Sequence, residues 1–124
     1  MMINNKILLV EDDPELRETL QDIFELYGIE AEITEDANAA LKSIVEEENI
    51  FSLILSDYLM PGMSGLVLFS EIRKLPGFED TPFYIFSART DKETKDKCLQ
   101  GGVTGFIEKP FNINELIELL RKYL

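Results

Sequence analysis

Residues 7–13 read ILLVEDD, four consecutive apolar residues followed directly by three carboxylates. A run this short cannot form an amphipathic helix and is typical of a strand buried on both faces, as in parallel sheets. Three further runs end in the same way, residues 53–56 before Asp57, residues 83–86 before Ser87 and residues 105–107 near Lys109. Open parallel sheets bind their ligands beyond the carboxyl ends of the strands. The sequence therefore predicts one pocket formed by Asp12, Asp13, Asp57, Ser87 and Lys109.

Length and composition limit the possible functions. A chain of 124 residues is large enough for one domain that buries its own core, so residues 1–124 are expected to form a single domain. Lys and Arg number 12 against 24 Asp and Glu, a net charge of −12, which removes the attraction to backbone phosphates that nucleic-acid binding needs. The chain has one cysteine and opens on only a short apolar run. We therefore expect a cytoplasmic protein with neither nucleic acid nor a membrane as partner.

Helix signals separate the predicted strands. Asp13-Pro14-Glu15 favours a helix start, with proline in the first turn and acids near the positive end of the helix dipole. Asp36, Ser64 and Asn112 stand where residues that cap helix N-termini are expected. A very polar fourth helix is predicted from Thr90 to Leu99. This alternation of strands and helices indicates one doubly wound α/β domain.

Four motifs, each at a strand end, together resemble the receiver domain of bacterial two-component response regulators. They are Asp12-Asp13, the segment from Asp57 to Gly65, Ser87-Ala88 and Lys109-Pro110-Phe111. The resemblance covers the whole chain, and it is to the stand-alone, chemotaxis type. It implies a flavodoxin-like, five-stranded parallel sheet in the order 2-1-3-4-5 with helices on both faces. It also implies that Asp57 accepts a phosphoryl group from a histidine kinase.

A metal site is expected among the acidic residues, because carboxylates that converge at a sheet edge repel one another unless a cation lies between them. Hard oxygen donors next to a phosphoryl group suit Mg²⁺. By the resemblance, Asp13 and Asp57 ligate Mg²⁺ directly, Asp12 acts largely through water, and the carbonyl of Leu59 is a further ligand.

Phosphoryl transfer depends more on neutralising the negative charge of the transferring oxygens than on a general base. Asp57 is the expected nucleophile, while Lys109, the Ser87 hydroxyl and the Ala88 amide are expected to bind the phosphoryl oxygens. The resemblance implies a cis bond between Lys109 and Pro110. It also implies that the chain, though not a conventional enzyme, catalyses its own phosphorylation and dephosphorylation.

The resemblance further implies a switch and a set of partners. Ser87 moves toward the phosphoryl group and the aromatic ring of Phe106 rotates inward, although plain strand packing explains Phe106 equally well. The phosphodonor is a sensor histidine kinase or a phosphotransfer protein. A downstream protein docks on the face made by the fourth helix, the fifth strand and the fifth helix, and the chain itself is a monomer or weak dimer.

Three alternatives remain open. A degenerate receiver binds partners without phosphorylation but has lost the site residues, which are present here. A phosphatase of the haloacid dehalogenase type also uses an aspartate nucleophile, but it needs a second aspartate two residues later, where this chain has Leu59. A nucleotide switch needs a glycine-rich phosphate loop, and none follows the first strand.

Overall fold

The computed structural model describes residues 3–47, 50–89 and 91–124. Five strands alternate with five helices along the chain. The order is β1 (Ile3–Val10), α1 (Pro14–Leu26), β2 (Ala31–Thr34), α2 (Ala37–Glu47), β3 (Ile50–Asp57), α3 (Gly65–Arg73), β4 (Phe83–Ser87), α4 (Lys92–Gln100), β5 (Gly105–Glu108) and α5 (Ile113–Arg121). Every helix within the described ranges is too short or too polar to cross a membrane.

The strands form one parallel sheet in the order β2-β1-β3-β4-β5, which confirms the predicted architecture. Its register brings the strand ends together, because Val10 pairs with Ser56, Asp57 with Phe86, and Ser87 with Glu108. The polar residues that follow the apolar runs consequently lie along one edge of the sheet.

The core has two layers, one on each face of the sheet. Residues 7–10 are completely buried and alternate between them. Leu8 and Val10 pack in a cluster with residues of α2, α3 and α4, whereas Ile7 and Leu9 pack with residues of α1 and α5. Burial on both faces explains why the strand sequence is continuously apolar.

The caps predicted at Asp36, Ser64 and Asn112 are present, and Asp13 is a further cap. Asp13, Ser64 and Asn112 each accept a hydrogen bond from a backbone amide in the first turn of α1, α3 and α5. Asp36 caps α2 through the amide of Ala39, 2.8 Å away. The fourth helix begins later than predicted, at Lys92, because Asp91 caps it; Thr90, the predicted start, lies outside the described residues. The bond between Lys109 and Pro110 is cis, as predicted.

Candidate functional site

Asp57 is the last residue of β3 and only 4% of its surface is exposed. Its Oδ1 lies 2.5 Å from Nζ of Lys109, and its Oδ2 accepts a hydrogen bond of 3.2 Å from the backbone amide of Asp12. The carboxylate is thus fixed by groups that follow β1, its neighbour in the sheet, and β5, which lies beyond β4. The pocket brings together Asp57, Asp12 and Lys109 as the sequence indicated.

Glu11 is a central residue of this site that the sequence analysis did not assign. It is completely buried, and both of its carboxylate oxygens accept hydrogen bonds from Nζ of Lys109, at 3.0 and 3.1 Å. Arg17 donates to the backbone carbonyl of Glu11 over 2.9 Å. A buried carboxylate needs a paired cation, and Lys109 therefore serves Glu11 and Asp57 together.

The acidic group differs by one residue from the predicted metal set. Among the residues that the structure describes, carboxylate oxygens of Glu11, Asp12 and Asp57 lie within 4.8 Å of one another. Asp13 is not in this group, because its side chain accepts a hydrogen bond of 3.0 Å from the amide of Glu15 and caps α1. The signal was in the sequence, since Asp13 directly precedes Pro14 at a helix start.

The chemistry of this donor set fits Mg²⁺. The ion prefers hard oxygen ligands and is commonly held by one or two carboxylates together with waters and a substrate phosphate. Glu11 is hydrogen-bonded to Lys109, whereas Asp12 is exposed to solvent. Leu59 lies two residues beyond Asp57, and its side chain is more than half exposed.

Lys109 joins the carboxylates to the end of β4. Its backbone amide donates 2.9 Å to the carbonyl of Ser87, and its side chain is 20% exposed. Burial alone lowers the pKa of Lys109, but hydrogen bonds and charges from Asp57 and Glu11 outweigh that effect and the net pKa is raised. Lys109 therefore remains charged in the pocket over the physiological range.

Ser87 is the last residue of β4 and Ala88 follows it, close to Lys109. Ser87 is buried, and its hydroxyl oxygen accepts a hydrogen bond of 3.0 Å from the amide of Arg89. Ala88 is exposed and lines a cleft of about 440 Å³ together with Lys109, Phe111 and residues of α1. Ser87 and Ala88, the predicted phosphate-binding residues at the end of β4, thus lie at the same sheet edge as Asp57.

The pKa values of two carboxyls in the site are raised. The pKa of Asp57 is raised to about 6, first by burial and then by the neighbouring Glu11, although Asp12 and Lys109 pull it down. The pKa of Asp12 is also raised, chiefly through the hydrogen bond it shares with Asp57 and then by burial. These two carboxylates gain most from an added cation.

The raised pKa of Asp57 predicts that the stability of the fold depends on pH. Its pKa is higher in the folded than in the unfolded chain, so its contribution to stability is full below about pH 4 and is lost as the pH rises through about 6. Without metal, the difference in unfolding free energy between Asp57→Asn and the unmutated protein should change with pH. It should increase in favour of Asp57→Asn by about 1 kcal/mol between about pH 5 and pH 7.5. The chain contains no histidine to mask this titration.

Urea denaturation of both proteins in a chelator, at the two pH values, measures the difference directly. Contributions from carboxyls outside the pocket cancel in the comparison because both chains carry them. An Asp57→Asn advantage that stayed constant with pH would contradict the raised pKa.

Gly65 fixes the loop that follows Asp57. Its amide donates 2.7 Å to the carbonyl of Tyr58, and a Cβ built on Gly65 would lie 2.1 Å from the backbone oxygen of Asp57. Any side chain at residue 65 would therefore displace the backbone of Asp57. The sequence indicated turn chemistry here, but the contact was not predictable from the pattern.

Phe106, the predicted switch aromatic, is partly buried on β5 and packs against the core layer that contains Ile85. Nζ of Lys95 lies 5.9 Å from the centre of the Phe106 ring, and the same lysine pairs with Glu108 over 2.9 Å. Phe106 is thus adjacent to Ile85 in the sheet register and lies next to α4.

Comparison with known proteins identifies the receiver domain family over almost the whole chain. The profile of the response regulator receiver domain matches residues 7–121. An uncharacterized 14.6 kDa protein of Leptolyngbya boryana is 34% identical over 117 residues, which cover 94% of this chain and 88% of that protein. Other curated relatives include transcriptional regulatory proteins and a hybrid signal transduction histidine kinase, and the chain spans only 7–53% of their length.

Solved structures agree with this result. The chemotaxis protein CheY4 of Vibrio cholerae is 29% identical with a TM-score of 0.86, and the alignment covers 100% of both chains. The receiver domain of a sensor histidine kinase from Pseudomonas aeruginosa, solved with a magnesium ion coordinated in its active site cleft, is 26% identical with a TM-score of 0.84 and 97% coverage of each chain. From the profile match, the sheet order and the strand-end site together, this chain belongs to the response regulator receiver domain family of two-component systems.

Proposed function

We propose that Asp57 accepts a phosphoryl group from a phosphohistidine donor in a Mg²⁺-dependent reaction, and that phosphorylation controls the docking of a protein partner. The observation that carries this proposal is the buried carboxylate of Asp57, held 2.5 Å from a lysine and grouped with two further carboxylates at the end of a parallel strand. The chain has no histidine, so the donor residue lies outside residues 1–124. A sensor histidine kinase or a phosphotransfer protein fits this role.

The residues of the pocket divide the chemistry among them. Asp57 is the nucleophile, and an oxygen of its carboxylate forms a bond to phosphorus as the bond to the donor nitrogen breaks. Lys109 has three N–H donors, and in this structure they serve both oxygens of Glu11 and one of Asp57. A donor released from one of these contacts can bind a phosphoryl oxygen. The hydroxyl of Ser87 and the amide of Ala88 approach the same oxygens from β4. Bound Mg²⁺ would neutralise charge on the carboxylates and on the transferring oxygens.

The geometry favours a revised set of metal residues. We assign Asp12 and Asp57 as the carboxylate ligands and the carbonyl of Leu59 as a further one, with Glu11 orienting Lys109 beside them. Asp13 is assigned to the cap of α1. The magnesium ion in the active site cleft of the Pseudomonas aeruginosa receiver domain supports a metal in this family of sites.

Mg²⁺ should therefore raise the melting temperature, by an amount that grows with the logarithm of its concentration above the dissociation constant. Asp12→Ala should abolish this dependence, because it removes an exposed ligand carboxylate. Asp13→Ala should keep the dependence while costing about 1 kcal/mol of stability through the lost cap. Thermal denaturation over a magnesium titration separates the two variants.

The matched pair also tests the residue assignment itself. Both variants remove one negative charge from adjacent positions, so a general effect of net charge would be equal in the two. Loss of the Mg²⁺ dependence in Asp13→Ala and its retention in Asp12→Ala would restore the set predicted from the sequence and overturn the revised one.

Output is proposed to pass through Ser87 and Phe106 to the surface formed by α4, β5 and α5. Beside that surface, residues of β5 and α5 line a cleft of about 370 Å³ that includes Phe106, Phe111 and Leu119. The side chain of Lys95 spans α4 and β5 at its edge. Five further features of the chain stay predictions. They are its chemotaxis-type, stand-alone character, the extent of the domain over residues 1–124, a monomeric or weakly dimeric state, the absence of nucleic acid as a partner and a cytoplasmic location.

The main competing function is a receiver that docks partners without phosphorylation. The arrangement of Asp57, Lys109 and Glu11 argues against it, since a binding module needs no buried nucleophile. A phosphatase lacks support because Leu59 supplies no acid or base. Incubation with Mg²⁺ and acetyl phosphate, followed by intact-mass analysis, should give one labile phosphoryl adduct per chain. An adduct-free protein that still bound its partner would favour the docking module.

A further inference from the structure

We propose that Phe86 is a positioning residue for Lys109, and that its ring face holds the ammonium group against the two carboxylates in the geometry needed for phosphoryl transfer. This inference rests on the proposed function, because it assigns a role to Phe86 in that same reaction. It concerns a residue that the apolar strand pattern identified only as core.

The sheet register places Phe86 directly beside the nucleophile. Phe86 pairs with Asp57 on β3 and with Ile107 on β5, and it is completely buried. Nζ of Lys109 lies 4.7 Å from the centre of the Phe86 ring. The ammonium group therefore contacts the Phe86 ring and the carboxylates of Glu11 and Asp57 at the same time.

The ring performs a task that the carboxylates cannot. Glu11 and Asp57 fix Nζ through hydrogen bonds, but both would compete with an incoming phosphoryl oxygen for the same donors. An aromatic face attracts the cation without using a strong acceptor, and the attraction increases where water is excluded. Phe86 thus limits the hydration of Lys109 and restrains its position without adding a further acceptor that competes with the phosphoryl oxygen.

Phe111 supports the ring from the segment that follows the lysine. The rings of Phe86 and Phe111 lie 5.1 Å apart at a tilt of 48°. Phe111 also lines the cleft between α1 and the loop after β5. The orientation of the Phe86 ring is thereby fixed by a residue only two positions from Lys109.

Core packing alone does not require an aromatic residue at position 86. Its neighbours in the same layer are mainly Leu and Ile, which fill that layer elsewhere. The same strand provides a matched control in Phe83, which is also completely buried but faces the other layer, where it packs edge-on to Phe69 at 5.2 Å. Phe83 makes no described contact with Lys109.

The test compares Phe86→Leu with Phe83→Leu. Phosphorylation by acetyl phosphate at saturating Mg²⁺ is followed by intact mass, and the ε-methylene protons of Lys109 are followed by NMR, with their signal identified by its loss in Lys109→Arg. In the unmutated protein, ring current should shift these protons upfield of those of the exposed Lys42. Phe86→Leu should remove that shift and slow phosphorylation by roughly threefold to tenfold.

Phe83→Leu should keep both the upfield shift and the phosphorylation rate, even though it loses comparable core packing. Equal slowing in the two variants, or an unchanged rate in Phe86→Leu, would overturn the proposal. If Phe86→Leu failed to fold, the unmutated protein would still decide the matter, because Lys109 protons coincident with those of Lys42 would exclude the ring contact. An unmutated protein that shows the upfield shift but forms no adduct would instead refute the proposed function.

Discussion

Lys109→Ala is expected to lower the unfolding free energy of the metal-free protein by about 3 kcal/mol, the cost of leaving a buried carboxylate without its cation. Glu11 is completely buried and both of its oxygens accept hydrogen bonds from Lys109. Asp57, at 4% exposure, loses the same partner. Chemical denaturation in a chelator at neutral pH measures the loss.

Two further variants establish the cause of that loss. Lys95→Ala removes an ion pair with Glu108 whose side chains are 37% and 50% exposed, so it should cost under about 1 kcal/mol. Combining Lys109→Met with Glu11→Gln removes both members of the buried pair and should recover part of the stability. A cost for Lys109→Ala no larger than that for Lys95→Ala would show that Glu11 does not depend on Lys109.

Gly65→Ala is expected to destabilise the fold by about 3 kcal/mol and to abolish phosphorylation together. A Cβ at this position would lie 2.1 Å from the backbone oxygen of Asp57 and 2.9 Å from the side chain of Ile85. Removing this clash requires the backbone to move in a packed region. Overpacking of that kind costs roughly 1–3 kcal/mol, and occasionally more. The displaced backbone belongs to Asp57, the proposed nucleophile, so stability and phosphorylation should fall together.

Gly28→Ala is the matched control for this substitution. Gly28 adopts a φ of 69°, and a Cβ there would meet no atom within 4 Å. Strain in that left-handed conformation should cost about 1 kcal/mol, without any effect on phosphorylation, because Gly28 lies after α1 and away from Asp57. Normal phosphorylation of Gly65→Ala would mean that the close approach to Asp57 is not needed for the reaction.

The sheet and the pocket's location could be predicted from the sequence because they depend on local patterns. Apolar runs that end at Asp57, Ser87 and Lys109 identify buried strands, and a parallel sheet gathers their ends at one edge. The cap at Asp13 was also predictable, since it depends on one residue and its neighbouring proline.

The contacts within the pocket were not predictable, because they depend on side-chain directions that a pattern of residue types does not define. Three consecutive carboxylates follow β1, and only the structure distinguishes Glu11, turned inward to Lys109, from Asp13, turned to the helix amide. The acidic group of the structure consequently differs by one residue from the predicted metal set. Phe86 was identified as core because its contact with Lys109 joins residues 23 positions apart in the sequence.

The central claim is that Asp57 carries the phosphoryl group, and position-resolved mass spectrometry tests it most directly. The protein is incubated with acetyl phosphate in the presence and absence of Mg²⁺, the acyl phosphate is trapped by borohydride reduction, and the modified residue is identified by peptide fragmentation. The account predicts a single modification at Asp57 that needs Mg²⁺ and disappears in Asp57→Asn. A modification at another carboxylate, or one retained in Asp57→Asn, would contradict it.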